Sequence, residues 1–211
     1  LLSCDTRSWD GANIAKAYFD DVVPHLRAMD FDFTKELPIK DKLREYNIKE
    51  VLVVEGDPPQ SMLYQVYPTI STDIIKKFSE EMPEITVYAG IDQYRSSMKE
   101  EEYRIRRKQL AGAKGFFTQP FFDMRYLEMY ADLLDGLDIY WGVSPVLSER
   151  SVSYWRNKNN VIFPKDFEPT LEWNIEFASK VIDFARKHNH NVYLMPIKAK
   201  IMPYLEGVFA K

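Results

Sequence analysis

Short apolar runs alternate with longer amphipathic stretches along the whole chain. Seven runs read as strands: residues 1–4, 23–28, 51–55, 85–91, 115–122, 139–144 and 192–195. They are continuously apolar more than alternating, the pattern of strands covered on both faces in a parallel sheet. Helical stretches fill the gaps. Residues 39–46 are amphipathic, and Ser71-Thr72-Asp73 supply capping groups for a helix over 71–82. Residues 98–109 are strongly charged, and 124–134 carry Leu127, Tyr130, Leu133 and Leu134 on one face. In 170–187, Ile175, Ala178, Val181 and Ile182 recur at helical spacing, and Arg186, Lys187 and His188 suit the negative end of the helix dipole. A last helix is predicted over 201–209.

Repeated strand-helix alternation builds right-handed crossovers, in either an open doubly wound sheet or a closed barrel. The 211 residues suit a single domain over 1–211. An eight-fold barrel takes about 250 residues, so the shortfall matches one strand-helix unit. Such a barrel exposes the edges of its first and seventh strands, which a homo-oligomer is one way to cover.

Composition narrows the function classes. At 45% hydrophobic residues the chain buries a sizeable core, and 28 basic against 32 acidic residues provide no basic face for nucleic acid. There is no 18-residue apolar run for a membrane helix. Residues 1–4 are too short for a signal peptide, and a chain opening on Leu1 reads as processed or as lacking upstream residues. Cys4 stands alone, which excludes an internal disulfide and favours a reducing, cytoplasmic setting.

In α/β folds the chemistry gathers at the C-terminal ends of strands. Those positions hold Pro24-His25-Leu26, Glu55-Gly56-Asp57-Pro58-Pro59, Asp92-Gln93-Tyr94-Arg95, the segment from Ala111 to Asp123, Trp141-Gly142-Val143-Ser144-Pro145-Val146, and Lys198. Each has a purely structural alternative. His25 suits a hydrogen-bonded core position, and Asp57 before two prolines suits a turn. Arg104 to Lys108 suit a solvated helix face paired with Glu100 to Glu102. Phe116, Phe117, Phe121 and Phe122 suit packing. His188 and His190 read as helix-capping groups, with no ligand spacing for zinc. Neither a phosphate loop nor a dinucleotide fingerprint occurs, and Ser144 lies on no nucleophile elbow.

The stretch Ala111-Gly112-Ala113 to Thr118-Gln119-Pro120-Phe121-Phe122-Asp123 resembles the most recognisable segment of methylenetetrahydrofolate reductases. Pro-His-Leu, Gly-Asp-Pro-Pro, Arg106-Arg107-Lys108 and Gly142-x-x-Pro145-Val146 follow the same order. The resemblance runs from Val23 to Leu205 and is weakest from Arg150 to Trp173. It implies an α/β fold, a TIM-type (β/α)8 barrel lacking its first strand-helix unit. It also implies an enzyme that uses NAD(P)H and FAD to reduce 5,10-methylenetetrahydrofolate to 5-methyltetrahydrofolate. Carried over residue by residue, His25, Gly56, Asp57, Tyr94, Arg107 and Lys108 meet the flavin. Asp57 and Gln119 are the catalytic residues and, with Lys198, meet folate. The family's catalytic glutamate, at the end of the missing first strand, has no counterpart here. Glu55 stands where the family has arginine, and Gly90 and Tyr94 stand for its tyrosine and histidine. These departures keep open a flavin-free barrel that binds folate or serves methyl transfer without reducing anything.

Overall fold

A computed structural model describes residues 7–57, 65–197 and 199–210. Its strands are β1 (His25–Arg27), β2 (Glu50–Val54), β3 (Thr86–Ile91), β4 (Gly115–Pro120), β5 (Asp138–Val143) and β6 (Asn191–Leu194). They form one six-stranded sheet whose order follows the chain. Every strand run expected after the first is present, and residues 1–4 lie outside the described residues. The helices are α1 (Ser8–Ala15), α2 (Lys40–Glu45), α3 (Ser71–Glu81), α4 (Met98–Ala111), α5 (Met124–Leu133), α6 (Glu149–Lys158), α7 (Leu171–His188) and α8 (Ile201–Phe209). The result is an α/β fold that divides into two compact units, residues 1–90 with 103–115 and residues 91–102 with 116–211.

In the first unit, β2 pairs in parallel with β1 and with β3, in the registers Arg27↔Val54 and Val51↔Val87. The apolar run Val51, Leu52 and Val53 is buried in full, as two-sided coverage requires. α3 lays Ile74, Ile75, Phe78 and Met82 on one buried stripe. Burying such a side chain contributes about 1.5–3 kcal/mol. Of the expected capping groups, Asp73 is the one that caps. Ile70, not Ser71, is the N-cap residue, and the Asp73 carboxylate accepts its backbone N–H at 3.1 Å. Ser71 is thereby free to donate to Glu55.

In the second unit, β5 pairs in parallel with β6, Tyr140 opposite Asn191. Trp141, Tyr130, Phe121 and Phe116 are fully buried. Phe122 joins Val146, Val152, Trp155 and Val161 in a second cluster. The phenylalanines expected to pack therefore do so, with Phe117 stacked on Tyr140 at 4.1 Å. α6 was not foreseen, although Ser148 caps it by accepting the Ser151 N–H at 3.2 Å and Val152 and Trp155 mark its buried side. α1 was also missed. Only Ala12 is buried along it, so it carries no apolar stripe to read.

α4 is not a solvated face throughout, since Glu101, Ile105 and Lys108 form a buried line at helical spacing. His190 does not cap a helix through its ring. Its Nδ1 accepts the Trp141 indole N–H at 3.1 Å, and α7 ends instead on Asn189 at φ 55°, a left-handed position that asparagine tolerates.

Candidate functional site

At the C-terminal rim of the first unit, Arg27 ends β1 and its side chain crosses the backbone of Gly56. A Cβ at Gly56 would lie 2.1 Å from Arg27 Cγ, and the residue's φ of +89° is one that glycine adopts freely. Arg27 Nε donates to Asp30 Oδ1 at 2.9 Å, and Nη1 donates to the Asp57 carbonyl at 3.3 Å. A guanidinium thus stands at the strand end where Glu55 replaced an expected arginine. Glu55 accepts from Ser71 Oγ at 3.4 Å. The Asp57 side chain is exposed, and Pro58 and Pro59 lie outside the described residues.

His25 opens β1 in register with Leu52, two residues before the rim pair Arg27↔Val54. It retains solvent exposure, while the protein crowded around it desolvates the imidazole and lowers its pKa, keeping the ring neutral at pH 7. Lys108 turns inward and donates Nζ to the Gly90 carbonyl at 2.6 Å. Arg107 is exposed, with its guanidinium 6.0 Å from the Tyr103 ring. The two cations expected at a diphosphate therefore face different surroundings. Lys198 lies outside the described residues.

At the strand-end rim of the second unit, a polar clasp surrounds the end of β4. Gln93 is 1% exposed. Its Nε2 donates to the Gln119 carbonyl at 2.7 Å, and its Oε1 accepts the Gln119 N–H at 3.1 Å. Tyr94 donates to the Pro120 carbonyl at 2.9 Å, and Tyr126 donates to the Gln93 carbonyl at 2.6 Å. Burial raises the Tyr94 phenol pKa far above its usual value, so it acts here as a neutral donor. On β5, the Gly142 N–H donates to Thr118 Oγ1 at 2.9 Å, and Tyr193 donates to the Thr118 carbonyl. Gln119 itself is half-buried, and its side-chain amide bonds to none of the described residues.

Gln93 lies among the expected strand-end positions without a role of its own, whereas Arg27, Tyr126 and Tyr193 were not foreseen as rim residues. The spacing of Arg27 to Asp30 hinted at a local ion pair, but nothing in the sequence announced that Gln93 would be buried. Among the described residues, no group of three or more His, Cys, Asp or Glu side chains could hold a metal ion, and no helix is long and apolar enough to cross a membrane.

No protein-family description matches the chain. A 5,10-methylenetetrahydrofolate reductase from Buchnera aphidicola subsp. Schizaphis graminum (strain Sg) is 22% identical over 147 residues, 67% of this chain and 50% of that protein. The chain thus matches half of that reductase's length. Among solved structures, a 2,3-dimethylmalate lyase of the PEP mutase/isocitrate lyase superfamily superposes with a TM-score of 0.52 at 14% identity, covering 94% of this chain and 69% of that one. An oxaloacetate acetylhydrolase with bound oxalate gives 0.52 at 11% identity, covering 95% and 72%. At such identities the likeness extends to the TIM-barrel-like fold alone.

Proposed function

We propose that the chain is the barrel of an oxidoreductase that reduces 5,10-methylenetetrahydrofolate to 5-methyltetrahydrofolate with NAD(P)H and FAD. The observation that carries this reading is Gln119, held by its main chain at the end of β4 with its side-chain amide unengaged among the described residues, inside the segment that most resembles these reductases. The 22% relation to the Buchnera reductase supports it. The six described strands in chain order support a TIM-type barrel.

The residues at the end of β2 suit an anionic, hydrogen-bonding cofactor such as FAD. Gly56 lacks a Cβ, and Arg27, paired with Asp30, brings a guanidinium beside it. Arg107, exposed on α4, is the cation available to a diphosphate. When bound, FAD supplies the hydride relay between NAD(P)H and the methylene carbon. The chain's own residues bind and orient. The Asp57 carboxylate accepts from the amide and amino donors of the pterin. The Gln119 amide donates to and accepts from folate and, in the other half-reaction, nicotinamide. The proton accompanying the hydride needs an acid that the resemblance places at the end of the family's first strand, and no residue named here is assigned that step.

A second reading, a flavin-free barrel that binds folate, is favoured by Lys108, whose ammonium is already bonded to the Gly90 carbonyl. Incubating the full-length protein with FAD, NAD(P)H and 5,10-methylenetetrahydrofolate, and resolving the folates by chromatography, separates the two. Formation of 5-methyltetrahydrofolate is expected. Binding of 5-methyltetrahydrofolate without turnover would favour the second reading, and neither binding nor turnover would overturn both.

A further inference from the structure

We infer that Gln93 is a positioning residue that sets the orientation of Gln119 toward folate. The inference rests on the folate-site reading of Gln119 given above. β3 ends at Ile91, and Gln93 follows two residues later. Past that point no backbone of β3 remains to offer hydrogen bonds, and the Gln93 side chain offers them instead. Its amide engages both main-chain groups of one residue, donating to the Gln119 carbonyl at 2.7 Å and accepting the Gln119 N–H at 3.1 Å. This two-point bond mimics a strand partner and fixes the peptide planes on either side of the Gln119 Cα. Those planes, with Cα, set the direction in which the side chain leaves.

Three further contacts hold the clasp in place. Gln93 Nε2 also reaches the Pro120 carbonyl at 3.4 Å, Tyr94 donates to that same carbonyl, and Tyr126 donates to the Gln93 carbonyl. The Gln93 side chain is buried, which keeps water from competing for the bonds. It does not reach a reacting atom, because its amide is committed to the main chain of Gln119. Its influence therefore passes through Gln119 alone. A misplacement of even about 1 Å in a substrate-orienting group carries a large kinetic penalty.

A double-mutant cycle on the full-length protein tests this, with 5-methyltetrahydrofolate as the probe. Gln93→Met is expected to weaken its binding about tenfold in the wild-type background. In a Gln119→Ala background the same substitution is expected to change folate affinity little, because the side chain being oriented is gone. Thermal unfolding should fall equally in both backgrounds, since the bonds lost are to the main chain. Gln93→Glu supplies a second readout if Gln93→Met fails to fold. A protonated carboxyl both donates and accepts like the amide, whereas a carboxylate only accepts. That variant should bind folate well at low pH and lose affinity as pH rises, a profile the wild type lacks. An equal loss of folate affinity in both backgrounds, or a flat pH profile for Gln93→Glu, would overturn the positioning role while leaving the folate reading intact. Wild-type protein that does not bind 5-methyltetrahydrofolate would instead remove the folate reading, and the role of Gln93 with it.

Discussion

A methyl group added at Gly142 would meet the Thr118 carbonyl at 2.8 Å, the Tyr193 hydroxyl at 3.0 Å and the Gln119 carbonyl carbon at 3.1 Å. Two of those three neighbours are backbone and cannot swing away. Gly142→Ala should therefore push β4 and cost about 1–3 kcal/mol, the usual range for overpacking. The loss would appear as a lower urea midpoint, together with weaker folate binding because Gln119 moves. An unchanged midpoint would mean that β4 and β5 are less closely held than these distances indicate. At this scale the sequence was only partly legible. Gln119 and Asp57 stand out because motif and strand-end position coincide. Gln93 does not, because burial of an amide depends on which carbonyls surround it after folding. Arg27 was hidden for a related reason. Its proximity to Gly56 is a consequence of β1–β2 register, which no single residue encodes.

The elements were easier to read where burial is two-sided or striped, and harder where it is neither. β2 declares itself through Val51, Leu52, Val53 and Val54, and α3 through Ile74, Ile75 and Phe78. α1 buries only Ala12, so its hydrophobic pattern is silent. α4 misleads, because its buried line includes Glu101 and Lys108, charged residues that a pattern assigns to solvent. Asparagines just past helix ends are the clearest overlooked signal. Asn47, Asn160 and Asn189 take positive φ after α2, α6 and α7, a common way for a helix to stop.

One element contact also yields a pH prediction. Glu81, at the end of α3, resists ionisation through burial. Bonds from Lys77 at 2.7 Å and from the Leu37 N–H at 2.9 Å, with Lys40 at 3.3 Å, nevertheless hold its pKa down at about 2. A folded pKa below the unfolded value of 4.5 adds stability that is complete above that value and is lost as pH falls toward 2. Urea unfolding at pH 6 and at pH 3 should show Glu81→Gln clearly weaker than wild type at the first and closer to it at the second. A gap that stays constant with pH would show that the carboxylate's charge contributes nothing to joining α3 and α2.

For the whole molecule, strand-helix alternation predicts parallel strands joined by crossovers but leaves a doubly wound sheet and a barrel both open; the sequential strand order comes from the structure. The similarity to TIM-barrel-like lyase structures extends over 94% of the chain, yet fold does not determine reaction. The proposed reaction rests on the strand-end residues and on the 22% relation to a reductase of twice the matched length. The most direct test of flavin-dependent folate reduction is the visible absorption spectrum of the purified full-length gene product. Flavin bands near ~450 nm are expected, bleaching with NAD(P)H and returning when 5,10-methylenetetrahydrofolate is added. A protein that stays colourless after incubation with FAD, or whose bleached bands do not return with the folate, would contradict it.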